Sequence, residues 1–556
     1  MRTVVESLTA GKACGRDATL TIAGTGRAPD TVQTWRQVNE CARRMATVLR
    51  RWGVEPGTRV AVIADTSAEL IAALQAVWLR GAAFTILPPP GRTGREAHLA
   101  KLRAILADSR PGLVIGDGIP GAVTVESIVA QAVTAPMAEA VQPGPEDLAV
   151  LQYTSGSTSN PRGVPVTHGN LAANLDAIEA AIGSDLLDPA TNRWLSWLPL
   201  YHDMGLIGFL TLPMTRGCPL VLQSPLAFAL RPAAWLERLT KDSATVTGAP
   251  NFAYALMAQL LEVGCGADLS SVKRMFSGGE PIDAAMMRRF TAAARPHGLD
   301  PNAVVAAYGL AESTLAVSFC PLAVDEVNRE SLEREGFALP SARGRALVRV
   351  GRAVSGTQIR ITNSEGEQAA VRVVGHIEVC GPSVVAGYWG EPPRPTPWLR
   401  TGDLGYLTGD GELVVCGRAK DVLFAAGRNI YPQDVEAAAV GVPGVRAGGA
   451  AAFGIPASYE LGSGSGGSGG SGGFGMGDRL VVAVEARAGD DAGLRRAVAL
   501  AVVSQTGMAP ADVVTLRFGR LPKTSSGKLR RAETRRRYLA GELSPDRSGL
   551  VKGSVQ

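Results

Sequence analysis

A run of glycine and small hydroxyl residues, YTSGSTSNPRG at positions 153–163, is suited to holding phosphate. Such residues let backbone N–H groups and hydroxyls close on phosphate oxygens without obstruction by side chains. Arg162 can add a fixed positive charge. The stretch lacks the Gly-Lys-Ser/Thr ending of the common nucleotide-binding loop. Taken alone, it is either a phosphate-binding loop or an ordinary polar loop.

Further polar segments recur along the chain, and four of these segments follow apolar, strand-like runs. All the further polar segments are WLPLYHDMGL at 197–206, SGGEP at 277–281, YGLAES at 308–313, RTGDL at 400–404, GRAKD at 417–421 and LPKTSSGK at 521–528. In open α/β sheets, ligands bind beyond the carboxyl ends of strands. The segments therefore stand where a site is expected, although each one alone is a weak signal.

The elements that must hold these segments alternate between helix and strand. Apolar residues at helical spacing predict a helix at 34–52, with Thr34 and Gln37 as a capping box, and another at 67–80. Strand-like apolar runs stand at 59–64, 83–87, 113–115, 149–151, 219–222 and 245–247. This alternation predicts an α/β fold with a parallel, buried sheet and crossover helices.

Beyond residue 371 the pattern changes to short strands with little helix. Strands are predicted at 371–374 and 376–380, followed by a hairpin that joins 412–416 to 421–425 through a polar turn. A helix is predicted to begin near Pro432.

This change of pattern predicts a domain boundary. We expect an N-terminal domain at 1–417, a hinge at 418–421 and a small C-terminal α+β domain at 422–556. Within the C-terminal domain, the Gly/Ser-rich tract at 462–475 cannot bury apolar surface. It is predicted to be a flexible loop without chemistry, either natural or engineered.

Composition excludes several classes of protein. The 556 residues are 46% hydrophobic and 19% charged, and 56 basic residues face 51 acidic ones, a balance that does not favour nucleic-acid binding. Seven scattered cysteines without a C-x-x-C fit neither a disulfide framework nor a zinc site and indicate a reducing compartment. No signal-peptide core or membrane-spanning run is apparent, so a cytoplasmic protein without a membrane span is expected.

Together the polar segments resemble those of the adenylate-forming superfamily, which includes acyl-CoA synthetases, luciferases and peptide-synthetase adenylation domains. Their order, their spacing and the domain break agree over nearly the whole chain. LPLYHDMGLIG from Leu198 and GRNIYPQDVE from Gly427 look like the fatty acyl-AMP ligase branch. The stretch between Glu312 and Gly351, which includes 325–340, also looks long for a CoA ligase. It lies at the place where fatty acyl-AMP ligases carry an insertion linked to their failure to use CoA.

The resemblance implies a fold and an activity. The fold would be a large N-terminal domain of layered sheets and helices with a β-rich subdomain, plus a small mobile C-terminal α+β domain. The enzyme would use ATP and Mg²⁺ to convert a fatty or other apolar carboxylic acid to an acyl-adenylate, releasing pyrophosphate. It would then pass the acyl group to a thiol.

The resemblance also implies an ATP site. The residues carried over are Thr154, Ser155, Gly156, Ser157, Thr158, Arg162, Gly278, Gly279, Glu280, Tyr308, Gly309, Ser313, Asp403 and Arg418. In this assignment Tyr308 stacks on adenine, and Asp403 accepts hydrogen bonds from the ribose. Arg162 stands where relatives usually have lysine, which keeps the charge but changes its geometry.

Three residues are implied in catalysis, and a simpler interpretation stands beside each. Lys528 would bridge the carboxylate oxygen and the α-phosphate, or it is an ordinary exposed lysine near a basic tail. Glu312 would hold Mg²⁺, or it is a surface carboxylate. His202 would lie near the acyl carboxylate, or it is a structural histidine. Lys420 would be the hinge at which the small domain turns, while Trp197, Met204 and Lys523 are expected to be structural.

Three functions follow from this assignment. The first is an acyl-AMP ligase that delivers its acyl group to the phosphopantetheine thiol of an acyl carrier protein, in polyketide or lipopeptide synthesis. The second is an acyl-CoA synthetase for a fatty or bulky apolar acid. The third is a catalytically silent adenylate-binding protein, against which the intact Glu312 and Lys528 speak.

Overall fold

The structure, a computed structural model, describes residues 2–10, 17–26, 28–89, 95–117, 119–154, 161–425, 428–456, 459, 478–487, 491–524 and 527–543. The loop residues 155–160 and the predicted Gly/Ser loop at 462–475 lie outside the described residues. The described part is a mixed α/β fold with several sheets, as predicted.

The strands are β1 Thr19–Ile22, β2 Thr31–Thr34, β3 Arg59–Ile63, β4 Ala83–Ile86, β5 Leu113–Gly116, β6 Leu148–Thr154, β7 Arg162–Thr167, β8 Trp194–Ser196, β9 Leu220–Leu222, β10 Val246–Ala249, β11 Arg274–Ser277, β12 Val304–Gly309, β13 Ala316–Pro321, β14 Ala323–Val327, β15 Arg345–Arg349, β16 Gln358–Thr362, β17 Gly375–Cys380, β18 Leu399–Leu407, β19 Leu413–Arg418, β20 Leu423–Ala425, β21 Arg428–Ile430, β22 Val445–Ile455, β23 Arg479–Ala486 and β24 Asp512–Leu516.

The α-helices are α1 Val4–Ala10, α2 Trp35–Arg51, α3 Ala68–Leu79, α4 Arg95–Ser109, α5 Val125–Ala132, α6 His168–Ile182, α7 Leu212–Arg216, α8 Pro225–Leu230, α9 Ala233–Lys241, α10 Asn251–Glu262, α11 Ala284–Ala294, α12 Pro432–Val440, α13 Asp491–Thr506 and α14 Arg531–Leu539. Met204–Thr211 and Ser331–Glu335 form short π-helices. Within the described ranges, no helix combines the length and apolar character needed to cross a bilayer.

Two sheets form the framework of the large N-terminal part. The first sheet has eight strands in the order β13-β12-β11-β10-β8-β9-β1-β2, and the second has five in the order β5-β3-β4-β6-β7. Their central strands run parallel and are buried on both faces, as the continuous apolar runs predict. The predicted capping box at Thr34 and Gln37 is present at the start of α2, where it satisfies free N–H groups of the first turn.

A third, antiparallel sheet carries the chain from the first sheet towards the C-terminal end. Its six strands lie in the order β14-β15-β19-β18-β17-β16. Apolar side chains of this sheet, including Val348 and Ile377, pack in one cluster with Ala306 and Val317 of the first sheet. The edge of the first sheet at β12 and β13 is therefore supported by the third sheet.

The C-terminal unit, residues 422–543, has hydrophobic clusters of its own. Helix α12 packs with the β22-β23-β24 sheet through residues such as Val435 and Val482. The third sheet ends at Arg418 and the next strand begins at Leu423, so the expected hinge at 418–421 lies at this junction. The domain boundaries themselves stay a prediction.

Two local predictions after residue 371 are wrong. The segment 412–416 does not pair with 421–425, because β19 is already paired with β18 and β15, while β20 pairs with β21. The segment 371–374 is a turn with one isolated bridge, Phe337 to Val373, rather than a strand. Strand propensity alone does not decide whether a segment such as 371–374 or 412–416 pairs, or with which strand. The neighbouring strand that is available for pairing decides it.

Candidate active site

A cavity of about 1440 Å³ lies between the ends of the first two sheets and the C-terminal unit. It gathers most of the described residues that the sequence assigned to a site. They are Thr154, His202, Gly278, Gly279, Glu280, Tyr308, Gly309, Glu312, Asp403, Arg418, Lys420 and Lys528. The cavity continues from these polar groups into an apolar extension walled by Trp194, Phe209, Phe276 and Phe319.

The predicted phosphate loop connects the two strands of a hairpin. Thr154 ends β6 at the cavity and is paired in register with Arg162 at the start of β7. Helix α6 follows at His168, as expected, capped by the Thr167 side chain. Ser155, Gly156, Ser157 and Thr158 lie outside the described residues, so only the loop's two ends are placed.

Lys528 reaches into this cavity from the C-terminal unit. Its Nζ lies 3.8 Å from the point that a Cβ on Gly279 would occupy. Burial lowers the pKa of the Lys528 ammonium, while the charges of Asp203 and Glu280 act in the opposite direction. Burial also raises the pKa of Glu280, whose Oε1 accepts a hydrogen bond from the Phe252 N–H at 3.0 Å. The lysine is therefore a buried ammonium surrounded by carboxylates, unlike an ordinary surface lysine.

Asp203 belongs to the site, although the sequence reasoning did not assign it. Its Oδ1 lies 2.6 Å from His202 Nδ1 and accepts a hydrogen bond from the Met204 N–H at 2.7 Å. Burial raises the pKa of Asp203, but His202 and the Lys528 charge outweigh it and hold the pKa at about 2. Asp203 is thus an ionised carboxylate between His202 and Lys528. A carboxylate directly after a site histidine was the available signal.

Glycine is required at Gly309 for a reason that only the fold reveals. A Cβ there would stand 1.9 Å from the carbonyl oxygen of Leu315, closer than any real contact. Gly279 has φ +79°, a left-handed conformation that favours glycine. These two glycines allow the ends of β11 and β12 to form a smooth wall beside Lys528.

Asp403 is oriented by two partners. Tyr308 donates its hydroxyl to Asp403 Oδ2 at 2.7 Å, and Arg418 Nε lies 2.9 Å from Oδ1. Burial raises the pKa of Asp403, whereas the Arg418 charge and the Tyr308 hydrogen bond lower it. The β18–β19 register places Asp403 directly opposite Arg418, so the three residues form one fixed group at the cavity wall.

Glu312 is held by a tyrosine that the sequence reasoning missed. Tyr388 donates its hydroxyl to Glu312 Oε1 at 2.7 Å. The Arg162 guanidinium lies over the Tyr388 ring, 3.4 Å from its centroid, and binds both oxygens of Glu391 at 2.8 and 2.9 Å. The Arg162 side chain therefore contacts Tyr388 and Glu391, and Arg162 is not among the residues that line the cavity. The sequence predicted instead that it would contact the phosphates.

The carboxylate of Glu312 suits Mg²⁺, a cation that usually combines one or two carboxylates with phosphate oxygens and water. Glu312 faces the cavity, and the Tyr388 hydroxyl occupies only one of its oxygens. Among the residues that the structure describes, no cluster of three or more metal-binding side chains occurs. A site of this kind would depend on the nucleotide for its remaining ligands.

Other expected residues have mixed positions. Ser313 is fully buried and is absent from the described cavity wall, and Lys420 lines the cavity with a pKa lowered by burial. Trp197 is buried and stacked on Phe228 at 3.6 Å, as expected of a structural residue. Met204 packs against the hydrophobic core, as expected, and it also lines the cavity. Lys523 also borders the cavity, and its ammonium donates to the Gly448 carbonyl at 2.9 Å.

The residues gathered at the cavity, including Gly279, Glu312 and Lys528 from the C-terminal unit, are those that the resemblance to adenylate-forming enzymes assigned to a site. The family model described as AMP-binding enzyme matches residues 10–389. The chain therefore belongs to the AMP-binding enzyme family, and the resemblance inferred from the motifs is confirmed.

Individual relatives agree with this assignment. A Mycobacterium tuberculosis protein named "Putative ligase Rv1013" is 38% identical over 536 residues, covering 90% of this chain and 94% of its own. The long-chain-fatty-acid–AMP ligase FadD26 of Mycobacterium marinum is 34% identical over 559 residues, covering 91% of each chain. A solved structure from studies of fatty acyl-adenylate ligases from E. coli and L. pneumophila is 34% identical, with a TM-score of 0.85, over 97% of this chain and 98% of that one.

Proposed function

We propose that the protein is a fatty acyl-AMP ligase. It joins a fatty acid to the α-phosphate of ATP, releases pyrophosphate, and passes the acyl group to the phosphopantetheine thiol of an acyl carrier protein. The observation that carries the proposal is the place of Lys528, beside Gly279 in a cavity that has a nucleotide-type wall and an apolar extension. The similarity to the fatty-acid–AMP ligase FadD26 supports the acyl class.

Adenylation has to bring two anions together. A carboxylate oxygen attacks the α-phosphorus, and the bond from that phosphorus to the bridging oxygen of pyrophosphate breaks. The Lys528 ammonium would contact both the carboxylate and the α-phosphate, and it would thereby offset their repulsion and the charge that develops at phosphorus. The charges of Asp203 and Glu280 raise the pKa of Lys528 and so favour its protonated form.

The remaining residues would orient the reactants. Tyr308 would stack on adenine while its hydroxyl and Arg418 hold Asp403 towards the ribose. His202, fixed through Nδ1 by Asp203, would direct Nε2 towards the acyl carboxylate. Glu312 would hold Mg²⁺, which supplies charge neutralisation on the phosphates when bound. Thr154 and the loop that follows it would hold the β- and γ-phosphates.

The choice of a carrier-protein thiol over CoA rests on two features. The relative FadD26 is named for its AMP product, and the stretch 325–340 stands where such ligases carry their insertion. That stretch and the strand after it contact the C-terminal unit. Arg345 Nε lies 2.9 Å from Asp434 Oδ2, and Arg428 pairs with Glu333 at 3.5 Å.

A cytoplasmic location agrees with the six free cysteines among the described residues.

The proposal is tested with the full chain, ATP, Mg²⁺ and a panel of carboxylic acids. We expect acid-dependent exchange of labelled pyrophosphate into ATP, followed by transfer to a holo carrier protein but not to its apo form, which lacks the thiol. Abundant acyl-CoA from free CoA would identify an acyl-CoA synthetase instead. Absence of exchange with every acid, while ATP still binds, would identify a catalytically silent binding protein.

A further inference from the structure

We propose that a wall of aromatic side chains closes the acyl end of the cavity at medium depth, so that the enzyme activates fatty acids of about eight to twelve carbons in preference to long-chain acids. The inference rests on the proposed function, because it specifies the length of the acid that this function activates.

Strand register assigns one face of the first sheet to this end of the cavity. Phe276 of β11 is paired directly with Gly248 of β10, and Trp194 of β8 is paired with Val246, two positions earlier on β10. Directly paired residues and those two apart on one strand point to the same face of a sheet. Trp194, Gly248 and Phe276 therefore share a face, and both aromatic residues line the cavity.

The same face continues across the next two strands. Phe276 is paired with Val305 of β12, and Ala307, two positions further, is paired with Phe319 of β13. Ala307 and Phe319 also line the cavity. Phe276 stands on the inner strand β11 and Phe319 on the edge strand β13, and both are only partly buried because they face the cavity.

The π-helix Met204–Thr211 supplies the residue that closes this space. A Cβ on Gly248 would stand 2.6 Å from the tip of the Phe209 ring, so the ring rests directly on the glycine. The centroid of the Phe209 ring lies 5.7 Å from that of Trp194 and 6.4 Å from that of Phe276, both edge to face. Ile178 and Leu212 also line this end. Phe209 is thus held against the sheet at the far end of the extension.

The depth of the extension follows from the register. Trp194 is level with Val246 and hence with Arg274, whereas Lys528 meets the chain at Gly279, five positions further along. At about 3.3 Å per residue, the extended part from Arg274 to Ser277 spans about 10 Å. Gly278 and Gly279 lie beyond the strand and add at most about 6 Å, and the Trp194 and Phe209 rings take up part of the total. An extended acyl chain of about eight to twelve carbons occupies the rest.

This geometry predicts how the rate depends on chain length. Each methylene buried in the apolar extension raises kcat/KM by about fourfold, because it leaves water. Beyond the wall an added methylene gains nothing, and the chain has to displace packed aromatic rings. The length profile therefore rises to a maximum and then falls.

The first test measures pyrophosphate exchange with saturated straight-chain acids of about four to eighteen carbons, which spans the predicted maximum. We expect the largest kcat/KM at about eight to twelve carbons and a value at least about tenfold lower at sixteen. A maximum at about sixteen carbons or more would overturn the inference while leaving the proposed function intact. If no acid of any length supported exchange, the proposed function itself would fail.

Matched variants locate the wall. In Phe209→Leu we expect the maximum to move to acids longer by about two to four carbons, because the floor is lowered. Phe290→Leu is the control, since Phe290 is equally buried, packs against Tyr254 and is absent from the described cavity wall. It should leave the length profile unchanged.

If Phe209→Leu does not fold, Ala307→Val is the second variant. Ala307 lines the cavity, so the larger valine side chain should narrow the extension and move the maximum to shorter acids. An unchanged profile in the folded variant would refute the assigned wall.

Discussion

The two ends of the cavity are built in different ways. At the end of the cavity where we propose that the nucleotide binds, called the nucleotide end, the functional groups come from short runs of consecutive residues at strand ends. Gly278–Glu280 follows β11, and Tyr308–Glu312 includes the last two residues of β12. At the acyl end, single apolar residues from the interior of different strands and one π-helix meet through register. In the function that we propose, the first construction would bind the nucleotide, which is the same for every acid, and the second would bind the acid, whose length varies.

This difference has a consequence for variants. A change at the nucleotide end should lower the rate for every acid by the same factor, because all acids share the ATP chemistry. A change at the acyl end should alter the order of preference among acids. The four predictions that follow, in order of decreasing effect, all concern the nucleotide end. A changed order of acids in any of these variants would contradict the separation.

The largest effect is expected for Lys528→Ala. Removing the buried ammonium beside Gly279 takes away the positive charge nearest to the reacting groups. We expect acid-dependent pyrophosphate exchange to fall by about 10²–10³-fold, with an unchanged order of acids. ATP affinity, measured by calorimetry, should change by less than about fivefold. Lys523→Ala is the matched control, because that lysine is bound to the Gly448 carbonyl, and it should lose less than about tenfold. Near-normal exchange in Lys528→Ala would refute its role.

The next effect is on the pH profile. Burial lowers the pKa of Lys528 below its ordinary value of 10.5, and only the protonated form carries the charge. The exchange rate should therefore fall as the pH rises through the lowered pKa, by about tenfold for each further pH unit. Lys528→Arg, whose guanidinium stays charged, should be slower near neutrality but lack this alkaline decline. A decline that persists in the arginine variant would assign it to another group.

A smaller loss is expected for Asp203→Asn. The amide keeps the shape but removes the negative charge between His202 and Lys528. We expect kcat/KM to fall by about tenfold for all acids. Because the Asp203 charge raises the pKa of Lys528, its removal should move the alkaline decline to lower pH. A variant that loses activity with an unmoved profile would point to a purely structural role for Asp203.

The smallest effect is expected for Tyr308→Phe. The ring that would stack on adenine remains, but buried Asp403 loses one of its two partners and keeps Arg418. Loss of this hydrogen bond should raise the KM for ATP by about three- to tenfold, with kcat and the order of acids unchanged. Thermal unfolding serves as the control, because a large loss of stability would confuse the comparison. An unaltered KM for ATP would separate Asp403 from ATP binding.

The sequence predicted which segments would meet at one end of the cavity, because the signals in those segments are local. Glycines, hydroxyls and a carboxylate in fixed order identify Gly278, Gly279, Tyr308 and Glu312 without knowledge of the fold. The helix–strand alternation and the capping box at Thr34 were likewise readable, since they depend on neighbouring residues.

Other features depend on partners that are distant in the sequence. The predicted hairpin of 412–416 with 421–425 failed because pairing with β18 and β15 occupies β19. The contact of Tyr388 with Glu312 joins residues 76 positions apart, and no periodic pattern in the sequence predicts such a contact. Arg162 was expected at the phosphates, and its pairing with Glu391, 229 positions away, could not be seen either.

The sequence by itself therefore determined the family, the fold class and the chemistry, because these are written in short motifs with side chains of specific function. Only the tertiary structure decided that Asp203 stands beside Lys528 and that Phe209 rests on Gly248. Both arrangements depend on strand register and on the docking of the C-terminal unit. Register and docking in turn depend on the burial of apolar surface from distant parts of the chain.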